Sequence, residues 1–588
     1  MKKIIADHAL LFLFICIVIC AAFSTVLYMG RIQPHVDEVW SYMLSNKSDS
    51  PFLYAHCAGV GEETEDLDNF KLTETESYKA YFHHWHDSDY YQKALTVQPE
   101  DRFSYGRVSY NQSLDVHPPL YYYLLHTICS FFPNQFSWWF SYSINLVFYI
   151  GTLIMLYITA RKLKISRDKS LLCVLLWGLS AAGTNEICFL RMYMMLTFFM
   201  LCITYLHLLL LHDFRIRYIV GIMVLDTLSF LTQYYAYIYV FFITLFFIIR
   251  LFRKREFKKG LHFGFAILSC VGLAILIFPA AIRHIFAGHY SDTVTYGTHS
   301  SLLQGANAAM GIVFENYTGI YLNTMLIITV LFFLFLIIKL IQFNKIEHTD
   351  KVDAATLKKI GKYIVDSEKN SFRKLFPEYD KSVLADCILI LTSMIAASAI
   401  IIKISPDMGV LTVRYLFLIL PLFSVLLVRL ADMLLTVLGS RKTGFKKYHT
   451  VTLAILCALC ITGSYMLREP SSFLQNAKGK NNEFLQYFES SDIILIDDTH
   501  HTQAFTPMLM NAESVYPTDE IDDGIAAAIA HDSSTEHPLC LVISETQGNL
   551  YTINKKVSDA FEGHYKYLGY FYCTTDDPMA HSFYQIIK

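Results

Sequence analysis

The chain has 588 residues, of which 54% are hydrophobic and only 17% charged, with a mean hydropathy of +0.37. Soluble domains carry roughly a quarter charged residues, which excludes that class, and the long apolar runs are continuous rather than alternating, which excludes an outer-membrane β-barrel. The net charge of −3 comes with no basic tail and no basic–aromatic interleaving, so nothing points to nucleic acid.

In chain order, the first apolar run covers 8–30. It reads as an uncleaved transmembrane helix rather than a signal peptide, because no clear small-x-small site precedes Arg31. Further runs follow near 137–160, 170–184, 191–211, 217–233, 235–252, 261–282, 318–341, 385–402, 412–430 and 449–467. The expectation is a polytopic α-helical membrane protein of about 11 spans. The third run is short, and only "TQYY" separates the fifth from the sixth.

With the N-terminus cytoplasmic, the loops 161–169 (RKLKISRDK), 253–260 (RKREFKKG) and 439–449 (GSRKTGFKKYH) and the insert 342–384 fall on one side. All are rich in Lys and Arg, as the positive-inside rule requires. Opposite lie 31–136, 185–190, 283–317, 403–411 and the tail. A multi-pass plasma-membrane protein is expected, with a membrane domain over 1–467. Its first external loop is 31–136, and the insert carries one amphipathic surface helix. Residues 468–588 read as a small external α/β domain, with strands in "DIILID", "HPLCLVIS", "YKYLGYFY" and "SFYQII" and a helix in "DDGIAAAIAHD". Of 13 cysteines most lie in apolar runs, as small hydrophobes. Cys540 and Cys573 fall in the tail, where spacing alone does not decide whether they pair.

The first external loop ends in "DVHPPLYYYLLH", 115–126. The apolar stretch 118–132 is too short to cross a bilayer. If it did cross, every later basic loop would face outward. It is expected to lie along the outer interface as an amphipathic helix that begins at the prolines, with Tyr122 anchoring it at the headgroups.

Polar residues gather on this outer side. Asp37 and Glu38 follow the first span closely, and Asp115 and His117 close the same loop. Solvation at the interface accounts equally well for one such pair; a loop this long favours function. Glu186 precedes the fourth span, and Arg191 and Tyr193 open it. Gln233, Tyr234 and Tyr235 fill the break between the fifth and sixth, Arg283, His284 and His289 follow the seventh, and Arg414 and Tyr415 open the tenth. Each arginine singly is explained as a helix-end snorkeller. Together they suit a phosphate-bearing substrate beside a general base, because guanidinium grips phosphate with two donors and a carboxylate takes a hydroxyl proton. The HHWH run at 83–86 reads as loop decoration rather than a metal tract.

The DE pair after the first helix, "DVHPPLYYYLLH", "LRMY" and "RYLFLILP" resemble the GT-C class of membrane glycosyltransferases, in its bacterial protein-mannosyltransferase-like and Rgt-type branch (glycosyltransferase family 39-like). The resemblance extends over most of 1–467. It implies two interfacial helices over a cavity, a polyprenyl-phosphate-linked sugar as donor, and inverting transfer on the outer face. The acceptor would be a wall polymer, a glycolipid or a protein. By position Asp37 resembles the catalytic carboxylate, and Glu38 would orient it or bind metal. Asp115, His117, Arg191, Tyr193 and Arg414 would hold the donor phosphate; Gln233, Tyr234 and Tyr122 would line the substrate cavity. Metal use stays open: no cofactor is assigned, no DxD triplet is present, and a divalent Mg or Mn ion would draw on Glu38, Asp115, His117 and His289. Two other classes compete. A transporter or flippase would need ionisable residues near the midplane and paired broken helices. A non-catalytic envelope-assembly protein would use the tail as a binding module.

Overall fold

A computed structural model describes residues 8–31, 34–47, 81–286, 301–320, 381–405, 409–439, 445–467, 481–489, 491–497, 502–531, 537–572 and 580–587. Among these, eight helices are long and apolar enough to cross a membrane: Ala9–Met29, Trp138–Lys162, Tyr193–His212, Ala236–Arg253, Phe257–Ile277, Ala385–Ile404, Thr412–Met433 and Tyr448–Met466. The protein is a polytopic helical membrane protein with a small C-terminal α/β domain. Most of the expected span 318–341 and of the insert 342–384 lies outside the described residues, as do His289 and Cys573. Cys540 is a buried free thiol.

Two expected spans take other forms. The fifth is the 15-residue helix Ile216–Phe230. The third is a broken pair, Arg167–Leu179 and Ala181–Cys188, bent by 52°. Its break is tight: a Cβ on Gly183 would lie 2.3 Å from the Trp177 carbonyl oxygen. The freed backbone groups find partners, as hydrocarbon surroundings demand. The Ala181 amide donates to Ser464 Oγ at 3.1 Å, and the Tyr465 hydroxyl donates to the Leu179 carbonyl at 3.0 Å.

One connection is corrected. Within 283–317, read as a loop, the helix Leu302–Thr318 packs on Lys381–Ile404 and Phe445–Met466. Ser301 caps its first turn, and Gly319 ends it at φ 73°, where a Cβ would meet the Gly463 carbonyl at 2.1 Å.

The described part of 31–136 forms four α-helices: Val36–Asn46, Ser88–Leu95, Tyr105–Leu114 and Leu120–Phe131. The last has Pro119 at its N-cap and 12 residues, about 18 Å of helix against a hydrocarbon core of about 30 Å. Tyr122 on it is fully buried, so it is no headgroup anchor: its ring is turned into the protein.

The tail forms a six-stranded sheet in the order β1-β3-β2-β4-β6-β5. Its strands are β2 (Asp492–Ile496), β3 (Ser514–Thr518), β4 (Leu539–Ser544), β5 (Tyr565–Tyr572) and β6 (Ala580–Ile586), joined by β1 (His86–Asp87) from the first loop. β3, β2 and β4 are parallel; the other pairings are antiparallel. Period-two alternation splits the core. Ile494, Ile496, Leu541 and Ile543 pack on the helices Ile521–Ala530 and Leu550–Phe561. Ile493, Leu495 and Val542 join Phe505 and Phe583 in a core continuous with the loop helices and the membrane helices. The HHWH run is therefore corrected from decoration to a structural joint: His86 enters β1, and the His83 amide donates to the Pro517 carbonyl at 2.9 Å.

Candidate active site

The helix Val36–Asn46 begins with a reciprocal cap. His35 Nδ1 accepts from the Asp37 amide at 3.0 Å, and Glu38 Oε2 accepts from the His35 amide at 2.8 Å. Such a box fixes the first turn, where carboxylates also meet the positive end of the helix dipole. Asp37 and Glu38 are thus set side by side but turned to different work. Glu38 is fully buried. Its Oε1 accepts from Arg31 Nη1 at 2.9 Å and from the Leu190 amide at 2.7 Å, and Arg31 Nη2 pairs with Oε2. Arg31 Nη1 also donates to the Cys188 carbonyl at 2.6 Å. Both carboxylate oxygens are spent on tying the end of the first span to the 188–190 turn.

Asp37 is the meeting point of two arginines. Arg414 Nη1 donates to Asp37 Oδ2 at 2.6 Å. Arg191 Nη1 donates to the Asp37 carbonyl at 2.9 Å and to Ser41 Oγ at 3.1 Å, while its Nη2 lies 3.3 Å from His117 Nε2. A guanidinium only donates, so His117 Nε2 accepts, and Nδ1 carries the proton given to Asp115 Oδ2 at 2.8 Å. The two ends of the first loop therefore meet on one guanidinium. Burial alone would raise the Asp37 carboxyl, but the Arg191 and Arg414 guanidiniums outweigh it and hold it well below the usual carboxylate range.

Aromatic rings wall this cluster. The Arg414 guanidinium lies 5.1 Å from the Tyr415 ring centre and donates to its hydroxyl at 3.2 Å. Tyr193 stacks on Phe189 at 5.6 Å and meets Phe417 edge-on at 6.0 Å. Tyr122 lies within electrostatic reach of Arg191, Asp115, Asp37 and Tyr193, yet its buried hydroxyl has no hydrogen-bond partner among the described residues.

The remaining candidates bond elsewhere. Gln233 Oε1 accepts from the Tyr234 amide at 2.7 Å, and the Tyr234 hydroxyl donates to His284 Nδ1 at 3.0 Å. His284 Nε2 then donates to the Ser113 carbonyl at 3.2 Å, and Arg283 bonds the same oxygen. This chain steadies the end of the helix that leads into Asp115. So Asp37, Asp115, His117, Arg191 and Arg414 come together with Tyr122 and Tyr193 beside them, while Glu38, Gln233 and Tyr234 are held by protein groups. Sequence reasoning missed Ser41 and His35. Ser41 shares the Asp37 face at i, i+4 spacing, a readable signal; histidine is not among the usual caps.

The fit to a divalent metal is poor. Among the described residues no group of three or more His, Cys, Asp or Glu is arranged to hold one. Glu38 is consumed, Asp115 and His117 bond each other, and two guanidiniums already supply the positive charge.

No family model matches the chain, and no curated relative matches it. Among solved structures it is similar to ArnT from Cupriavidus metallidurans over 97% of both chains at 10% identity, with a TM-score of 0.39 for the form bound to undecaprenyl phosphate and 0.42 for the apo state. The Archaeoglobus fulgidus oligosaccharyltransferase, in a complex with Zn and sulfate, aligns over 95% of this chain and 71% of its own, at 12% identity and a TM-score of 0.40.

Proposed function

We propose that the protein is an inverting glycosyltransferase that moves a sugar from a polyprenyl-phosphate donor to an acceptor hydroxyl at the outer face of the plasma membrane. The observation that carries this reading is the convergence of Arg191, just before one span, and Arg414, at the start of another, on Asp37 of the loop helix. Two guanidiniums suit the growing charge of a leaving phosphate. A carboxylate beside them suits proton removal from the attacking hydroxyl. The motif resemblance assigns the same residues to the same tasks, and the basic loops of the opposite side support the orientation.

In the proposed step the acceptor oxygen attacks the anomeric carbon as the bond to the donor phosphate breaks on the far side. The hydroxyl proton passes to Asp37, and the bonding pair leaves with polyprenyl phosphate. The acceptor is a wall polymer, a glycolipid or a protein.

Arg191 and Arg414 play different parts. Arg191 hydrogen-bonds neutral acceptors, the Asp37 carbonyl, Ser41 and His117, while its charge acts on the Asp37 carboxylate through space. Arg414 sits on the Asp37 carboxylate itself, and a carboxylate so paired is a weak base. An arriving phosphate competes for Arg414. As the guanidinium turns to the phosphate, Asp37 regains proton affinity when the acceptor needs it. Glu38 is a positioning residue, and no step is routed through a metal.

The test is incubation of purified full-length protein in proteoliposomes with a panel of radiolabelled polyprenyl-phosphate sugars. Release of polyprenyl phosphate with label on an acceptor supports the function. Intact donor throughout, or donor moved across the bilayer uncleaved, overturns it.

A further inference from the structure

The C-terminal domain contacts the helix that carries Asp37. Trp40, three residues on from Asp37, donates from Nε1 to Gln503 Oε1 at 2.6 Å. Gln503 is 2% exposed and opens the short turn Gln503–Phe505. Phe505, in that turn, is fully buried and meets His581 edge-on at 4.9 Å, and His581 is bonded to Asp497 at 2.7 Å in the sheet. From the Asp37 helix to the sheet the path runs through the Trp40–Gln503 bond, the turn Gln503–Phe505 and the Phe505–His581 contact.

The domain is seated firmly enough for such a contact to hold position. β1 of the first loop pairs with β3. His83, at the left-handed φ of 64°, bonds Asp523 at 3.0 Å. Trp85 packs between Tyr516 at 5.5 Å and His531 at 4.8 Å. Tyr42, Met43 and Leu44 of the Asp37 helix share one hydrophobic core with Phe505, Leu509 and Ile493 of the domain. On its other side the same helix is held by Arg191 through Ser41 and the Asp37 carbonyl. It is gripped from the membrane domain and from the tail at once.

We propose that the C-terminal domain is a brace for the Asp37 helix, with Trp40 and Gln503 as positioning residues. This rests on the proposed function for its kinetic part. A carboxylate that must meet one hydroxyl loses rate when displaced by fractions of an ångström to an ångström, so a polar tie one turn from Asp37 belongs to catalysis without touching substrate.

The test compares Trp40→Phe, Gln503→Leu and the double variant, all in the full chain. The brace predicts that each single change lowers kcat roughly tenfold while donor KM stays within about twofold. The double variant should be no worse than the poorer single, since both remove one bond. Amide exchange over 36–46 should quicken in each variant with the membrane helices unchanged. Unchanged kcat, or single effects that multiply, overturns the proposal. If the wild-type protein transfers no sugar, the glycosyltransferase reading fails and exchange alone decides the brace: faster exchange over 36–46 sustains it, and unchanged exchange overturns it.

Discussion

Arg414 and Asp37 lie 377 positions apart, and their side chains meet at 2.6 Å. One belongs to the 3-10 stretch Gly409–Ile419 that opens a late span, the other to the first turn of the loop helix. Their ion pair gives the resting site a carboxylate with suppressed basicity, and in the proposed reaction Arg414 is the group a donor phosphate would draw away.

That exchange has a pH signature. The Asp37 carboxyl is depressed in the free protein, so it stays ionised as pH falls through the ordinary carboxylate range. Its carboxylate form is lost only when pH reaches the depressed value. The profile of kcat/KM, which reports free enzyme, should show no acid limb from Asp37 at the ordinary carboxylate value of about pH 4. The profile of kcat, which reports the donor complex, should show that limb at higher pH. Arg414→Gln removes the ion pair and should bring the limb into kcat/KM as well. Identical acid limbs in both wild-type profiles would argue against the exchange.

Glu38→Gln should behave as a stability variant. The carboxylate is fully buried and paired with Arg31, and unpairing a buried ion costs about 3–5 kcal/mol. Thermal unfolding in detergent should shift sharply downward, with activity lost in proportion to folded protein. A folded, normally stable variant without activity would instead give Glu38 a direct chemical role.

Tyr122→Phe removes a buried hydroxyl that has no hydrogen-bond partner among the described residues. An unsatisfied buried group costs about 1–3 kcal/mol, so the variant should be at least as stable as wild type. If the hydroxyl serves the donor phosphate, donor KM should rise roughly ten- to a hundredfold, the worth of a hydrogen bond to a charged group. Unchanged KM would leave the hydroxyl without a substrate role.

Much of the fold was legible because membrane spans are local signals of length and apolarity. The failures have local causes too. Leu302–Thr318 holds Gly, Asn and Glu instead of a continuous apolar run, although Ser301 and Gly319 mark its ends. β3 carries Pro517, which demotes a strand in any pattern reading. β1 is two residues long, and only the sheet it joins makes it a strand. In the candidate site, Asp37, Asp115, His117, Arg191 and Arg414 stood out as charges at membrane boundaries. Their pairing could not be read, since it depends on residues hundreds of positions apart. The adjacent carboxylates Asp37 and Glu38 look alike in sequence; only the contacts of Arg31 and Leu190 tell the structural one from the other.

The most direct measurement is single-turnover transfer from a radiolabelled polyprenyl-phosphate sugar by wild-type protein and by Asp37→Asn, with folded protein matched by thermal unfolding. The substitution keeps the shape of the side chain and removes its basicity. The account predicts bound donor in both, with the rate of polyprenyl phosphate release lower in Asp37→Asn by roughly 10²–10⁴. Near-normal release by a folded Asp37→Asn protein would contradict it.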